Sequence, residues 1–280
     1  MKLVKDLYVD GERPFYCERD LRLERVVIGP GESSLKEGGN IEAVECEFKG
    51  KYPFWECDGF TVRDSIFREG ARAALWYSRG CRMYDTLVEA PKMFRRISDV
   101  LLERVRFTNA AETFWDCDNI RLKDVEAARA DYIFMHCHDV EVDHFRLLGN
   151  YSFQYARNVV IRDSELDTKD AFWEAENVTV YDSRITGEYL GWYSKNLRLV
   201  RCRIGGTQPL CYAENLILED CTLDDDADLA FEYSSVEATL RSPVPSIKNP
   251  RTGHISAPSV GDIILDSNIK SPGDCEITLN

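Results

Sequence analysis

A turn residue followed by two apolar residues, with one residue between them, recurs every 19–21 residues along most of this chain. Few folds accommodate such a period. The turn positions are Asp20, Asn40, Gly59, Gly80, Asp99, Asn119, Asp139, Asn158, Asn177, Asn196, Asn215 and Ser235, all types that tolerate turn geometry. The position after each is apolar, from Leu21, Ile41 and Phe60 through to Leu197, Leu216 and Val236. Two residues further on it is apolar again, from Leu23, Ala43 and Val62 through to Leu199, Leu218 and Ala238. The residue between is usually charged or Thr, which is the signature of a strand with one buried face.

A second short strand follows a corner rich in Asp (Asp64, Asp85, Asp124, Asp163, Asp182 and Asp220), with inward pairs such as Cys46/Phe48, Val105/Phe107 and Cys202/Ile204. A third, aromatic strand closes each rung, as in Phe172-Trp173-Glu174-Ala175-Glu176. No segment carries a 3.6-residue period, so leucine-rich and helical repeats are excluded. The pattern specifies an all-β fold, a single-stranded right-handed parallel β-helix of about 12 rungs with three short parallel sheets. The repeated Asn is expected to form a ladder, each side chain bonding its copy one rung away. The chain reads as one domain over 1–280: an N-terminal cap at 1–19, rungs at 20–236, and a capping or fold-back segment at 237–280. That last segment carries Pro243, Pro245, Pro250, Pro258 and Pro272, which suit an extended tail protecting an open edge.

The net charge of −14 argues against a nucleic-acid backbone as partner. It also disfavours acidic polysaccharides as a generic electrostatic partner, although a local basic pocket could override the average. The start, Met1 to Asp6, has no apolar leader core, and no stretch approaches the ~20 apolar residues of a membrane span. A soluble, cytoplasmic protein is expected, with no membrane partner. The ten cysteines form no CxxC and mostly recur at fixed rung positions. They read as reduced core fillers, and no cofactor and no metal site is expected.

The third strand departs from a plain solenoid. All five tryptophans, Trp55, Trp76, Trp115, Trp173 and Trp192, lie four residues before the turn. One position earlier stand Phe54, Leu75, Phe94, Phe114, Phe134, Phe153, Phe172 and Leu210. Strict alternation from the small residues two before the turn puts Trp inside and Phe outside. The more uniform apolarity of the Phe column argues the reverse; alternation is the preferred reading. Three before the turn lie Glu56, Tyr77, Arg96, Asp116, His136, Tyr155, Glu174, Tyr193, Tyr212 and Glu232. Seven before it lie Tyr52, Lys92, Glu112, Tyr132, Tyr151, Asp170, Tyr189, Gln208 and Asp228.

A strip of aromatic rings, acids and amides suits an elongated saccharide, since rings stack on sugar faces and polar groups bond hydroxyls. Candidate binding residues are Tyr52, Glu56, Tyr77, Glu112, Tyr151, Tyr155, Lys169, Asp170, Glu188, Tyr189, Tyr193 and Gln208. Rungs stack ~4.8 Å apart, which makes Arg96, Asp116 and His136 a contiguous triplet. With Glu174 they are the candidate catalytic groups, as acid, base or charge stabiliser. The alternative is a non-catalytic binding or assembly module, with this face covered by a protein partner, a second copy or the C-terminal tail.

Segments along nearly the whole chain are similar to a bacterial family known as domain of unknown function 3737. They include Gly31-Glu32-Ser33-Ser34-Leu35-Lys36, Lys51-Tyr52-Pro53-Phe54-Trp55, Gly149-Asn150-Tyr151-Ser152-Phe153, Lys169-Asp170-Ala171-Phe172-Trp173, Gly187-Glu188-Tyr189-Leu190, Thr207-Gln208-Pro209-Leu210-Cys211 and Ser246-Ile247-Lys248-Asn249-Pro250. Ser34 stands where that family typically has Pro. The resemblance implies a pectin-lyase-like β-helix of unassigned activity. It carries over no catalytic residues, and most of its segments enter the third strand.

Overall fold

The computed structural model describes residues 1–269 and 273–280, so Pro272 lies outside the described residues. The chain divides into two compact units, Met1–Glu141 and Val142–Asn280. In a repeat fold each rung contacts only its neighbours, so contacts partition along the chain. Each unit is a right-handed parallel β-solenoid, and the chain counts about 14 turns in all.

In the first unit, one ladder runs through Lys2–Lys5, Arg19–Glu24, Gly39–Val44, Asp58–Arg63, Arg79–Tyr84 and Ser98–Glu103. Every pairing is parallel and in rung register, for example Leu21↔Ile41, Ile41↔Phe60 and Cys81↔Val100. A second ladder joins Tyr8–Glu12, Val27–Glu32, Glu47–Phe48, Ile66–Phe67, Leu87–Val88 and Arg106–Phe107. In the second unit one ladder runs through Arg157–Arg162, Glu176–Tyr181, Lys195–Val200 and Leu216–Leu223, and another through Glu165–Asp167, Arg184–Thr186 and Arg203–Gly205.

The two expected caps are ladder strands. Leu3 pairs with Arg22, and Tyr8 with Val27, so residues 2–12 form a rung of their own. Ser235–Leu240, Thr252–Ala257 and Glu276–Leu279 extend the first ladder of the second unit in parallel, and Val244–Lys248 pairs in parallel with Val260–Ile264. The described strands within 237–280 therefore add parallel rungs. Pro243 and Pro258 sit at the loop positions before strands, where a missing N–H costs no ladder bond.

The core is a set of stacked columns. Leu21, Ile41, Phe60, Cys81, Val100 and Ile120 are at most 2% exposed, and Val159, Val178, Leu197 and Leu216 match them in the second unit. The Phe column is also fully buried: Phe94 and Phe114 stack at 4.4 Å, and Phe114 and Phe134 at 4.9 Å. Each such ring contributes about 1.5–3 kcal/mol by burial. The Asn ladder forms as expected, with Asn177 donating to Asn158 at 3.3 Å, Asn196 to Asn177 at 2.8 Å and Asn215 to Asn196 at 3.1 Å. These Asn sit near φ +55°, a left-handed conformation that Asn tolerates.

The third side of each rung corrects the alternation reading. It is chiefly a chain of left-handed turns, with short sheets where Leu75–Trp76 pairs with Phe94–Arg95 and where Val244–Lys248, stacked on Ala230, pairs with Val260–Ile264. In the rung of Glu112, Phe114 and Asp116, these three residues have φ of 51°, 59° and 54°. Their N–H groups still reach the neighbouring rung, as where Glu112 donates to the Asp131 carbonyl and Asp116 to that of Met135. Left-handed residues every second position break the period of two. Pro53 and Phe54 both point inward, Trp55 and Glu56 both point outward, and Cys57 returns to the core. Phe is inside and Trp outside.

Candidate functional site

On the first unit, the outward columns of the third side assemble an aromatic and cationic stack. Tyr52 meets Trp55 edge-on at 5.0 Å, and Trp55 lies 5.6 Å from Trp76 and 5.3 Å from Tyr77. Arg95 replaces Trp one rung on, and its guanidinium lies 4.4 Å from the Trp76 ring centre and 4.5 Å from that of Trp115. The indoles are fixed by backbone: Trp76 Nε1 donates to the Lys92 carbonyl at 2.8 Å and Trp115 Nε1 to that of Tyr132 at 2.6 Å. Lys92 pairs with Glu112 at 2.9 Å, and Arg95 reaches the same carboxylate only at 3.8 Å.

Glu56, Tyr77, Arg96, Asp116 and His136 are all exposed, one per rung. Backbone bonds from Arg96 to the Trp115 carbonyl and from Asp116 to the Met135 carbonyl place Arg96, Asp116 and His136 on successive rungs, as the sequence spacing requires. Glu56 is drawn to Lys36 at 3.4 Å. Arg96 lies 5.8 Å from the Tyr77 ring centre, and Tyr77 is 41% exposed.

On the second unit, Tyr189 stacks on Trp192 at 5.3 Å, Tyr193 on Tyr212 at 4.9 Å and Tyr212 on Tyr233 at 5.2 Å. Tyr233, not Glu232, therefore continues this column, because the loop before Ser235 is one residue shorter than its counterpart. Trp173 and Trp192 lie 6.3 Å apart, and neither indole N–H has a hydrogen-bond partner. Lys169 pairs with Glu188 at 3.2 Å and lies 5.1 Å from the Tyr189 ring centre. Asp170 is 5% exposed, and its burial pushes the carboxyl above the usual carboxylate range against the pull of Lys169. Glu174 is exposed, with its N–H bonded to the Trp192 carbonyl, and Tyr155 donates in the same way to that of Trp173. Tyr151 donates its N–H to the Lys169 carbonyl, and Gln208 donates to that of Asp228.

Asp116, His136 and Arg96 thus share one column of the first unit, while Glu174 belongs to the second unit. Both units offer the same chemistry, flat rings beside carboxylates, amides and cations.

Two features escaped the sequence reading. In the second unit, Arg146, Leu148, Glu165, Asp167, Arg184 and Thr186 line a cavity of about 360 Å³ on the outer side of the second ladder. The signal was present in Arg146-Leu147-Leu148, Glu165-Leu166-Asp167 and Arg184-Ile185-Thr186, where polar positions mostly flank an inward one. A second feature is the corner cluster of Asp143, His144 and Asp163, whose ligand atoms lie within 4.8 Å of one another, the one such group among the described residues. His144 Nδ1 is 2.7 Å from Asp143. Among the described residues, no helix is long and apolar enough to cross a membrane.

The fold and its stacked columns define a right-handed parallel β-helix. The chain belongs to the family described as Protein of unknown function (DUF3737), whose profile matches residues 2–278. No curated protein matches the sequence. Among solved structures, the chain is similar to the A-module of mannuronan C-5 epimerase AlgE4 from Azotobacter vinelandii, at 10% identity and a TM-score of 0.31, covering 100% of this chain and 89% of that one. It is also similar to the periplasmic alginate epimerase AlgG, at 7% identity and a TM-score of 0.27, over 99% of this chain and 75% of that one. A family 28 exopolygalacturonase from Yersinia enterocolitica shows 8% identity and a TM-score of 0.27, over 99% and 72% of the respective chains.

Proposed function

We propose that this protein binds a saccharide on the outward third side of its rungs. The supporting observation is that the tryptophans, which a plain solenoid would bury, are turned outward and stacked with exposed tyrosines. Tyr77 and Tyr193 are 41% and 48% exposed; Tyr193 lies stacked on Trp192 at 6.0 Å, and Tyr77 meets Trp76 edge-on at 6.4 Å. Leaving aromatic surface in contact with water costs stability, and an aromatic platform with a polar fringe offsets that cost by stacking on a ring of matched polarity.

In this reading Trp55, Trp76, Tyr52 and Tyr77 form the platform of the first unit, with Glu56 and Glu112 at its fringe. Tyr189, Trp192, Tyr193 and Tyr212 form that of the second, with Tyr151, Tyr155, Lys169, Asp170, Glu188 and Gln208 around it. A catalytic step would draw on the exposed column: Asp116 or His136 as acid or base, Arg96 as charge stabiliser, and Glu174 as the acid of the second unit.

A panel of oligosaccharides screened by calorimetry tests the proposal. Binding is expected, with Tyr193→Ala weakening it about two- to tenfold for ligands of the second unit. Product analysis on the bound ligands tests catalysis, with Asp116→Asn, His136→Asn and Glu174→Gln expected to abolish turnover and retain binding. No binding across the panel overturns the proposal.

A further inference from the structure

We infer that the first unit's platform selects a sugar bearing an anionic group, carboxylate or sulfate, and grips that group at the rung of Lys92, Arg95 and Arg96; this deepens the saccharide reading and rests on it. In a protein of net charge −14, this rung alone of those described places a cation at all three outward positions of the third side.

The three cations are not equally spent. Lys92 is committed to Glu112 at 2.9 Å. Arg95 has both ring faces covered by Trp76 and Trp115, its nearest carboxylate oxygen lies at 3.8 Å, and its Nε has no hydrogen-bond partner. A guanidinium held between two indoles is rigid, and its charge is poorly compensated. Such a group raises the local potential without offering a flexible hand. Arg96 supplies that hand. It is exposed, lies over the Tyr77 ring at 5.8 Å, and has no ion pair among the described residues. The neighbouring acid on its column, Asp116, makes no ion pair with it. A face contact with an aromatic ring leaves the in-plane N–H groups of a guanidinium free, and these match carboxylate and sulfate oxygens in pairs.

The neighbouring platform fixes which anion fits. Tyr77 and Trp76 lie one rung below Arg96, about 4.8 Å away. A sugar ring packed against the exposed side of Tyr77, which meets Trp76 edge-on at 6.4 Å, presents its substituents to the guanidinium edge. A bare inorganic anion would use the cation and leave the platform idle, whereas a charged pyranose uses both.

Calorimetry with three oligosaccharides of equal length tests this: a hexuronan, a sulfated glycan and a neutral glucan. The hexuronan or the sulfated glycan is expected to bind more tightly than the glucan, and whichever binds identifies the anionic group. That advantage should shrink as salt rises through the physiological range. Arg96→Gln should cut the charged ligand's affinity about fivefold and leave the glucan unaffected, while Arg162→Gln, in the second unit, should change neither. Equal affinity for charged and neutral ligands, or an equal loss for both in Arg96→Gln, overturns the inference and leaves the saccharide reading standing. Failure of all three to bind overturns both.

Discussion

Arg104 grips Asp85 in the rung before it with two bonds, Nε to Oδ1 at 2.6 Å and Nη2 to Oδ2 at 2.9 Å. The same clasp recurs between Arg25 and Asp6, between Arg201 and Asp182, and between Arg241 and Asp220. In each, the Arg hydrogen bond holds the Asp below its ordinary range. A lowered folded pKa contributes stability that is present above the ordinary value, about pH 4, and is lost as pH falls through the folded value. Acid titration followed by circular dichroism should therefore show unfolding setting in below about pH 4. Arg104→Gln should move that onset to higher pH. An onset unaffected by the substitution would remove the clasp from the account of stability.

The turn ladder makes a separate prediction. Asn177 bonds both Asn158 and Asn196 and holds φ at 57°. Asn177→Ala loses both bonds and pays for a left-handed Ala, a cost of about 1–3 kcal/mol. Asn177→Gly loses the bonds but keeps the backbone, so it should be the milder change in chemical denaturation. The reverse order would show that the side-chain ladder, not the turn, carries the contribution.

Phe114 and Trp115 are neighbours with opposite duties. Phe114 is fully buried between Phe94 and Phe134, and Phe114→Ala should cost about 3–5 kcal/mol. Trp115 is only half-buried and faces Arg95, so Trp115→Ala should cost about 1–2 kcal/mol and leave the protein folded. Denaturant midpoints for the pair separate the core column from the outward one.

All ten cysteines are free, with Cys17 exposed and Cys275 intermediate. Burial pushes Cys57 and Cys211 up to about 12, and Cys275 to about 11. Thiol labelling at about pH 8 should modify Cys17 first and Cys275 slowly, because the thiolate is the reactive form. The other eight should react only on unfolding. Rapid labelling of more than two would contradict their role as core fillers.

The repeat, both ladders and the Asn column were legible because each is written in a short local period. Leu21, Ile41 and Phe60 are apolar for the same reason in every rung. The third side was misread where the period of two was assumed to continue. Nothing in Tyr52-Pro53-Phe54-Trp55-Glu56 announces left-handed turns, since those conformations are imposed by backbone bonds to adjacent rungs and not by Gly or Asn. The uniform apolarity of the Phe column was the correct signal. The first rung was missed because Lys2 stands in the column of Leu21, and the last ones because Ile255 follows its partner Ala238 by 17 residues and Ile277 follows Ile255 by 22. The isolation of the Lys92, Arg95 and Arg96 rung could be read from sequence only after the outward columns were known.

The central claim is that the outward third side is the ligand surface. Hydroxyl-radical footprinting with and without the tightest-binding oligosaccharide tests it most directly. The account predicts protection of Trp55, Trp76 and Tyr77, or of Trp192, Tyr193 and Tyr212, with Phe114 silent in both states. Protection confined to Leu148 and its neighbours on the second ladder, with the tryptophans unchanged, would contradict it.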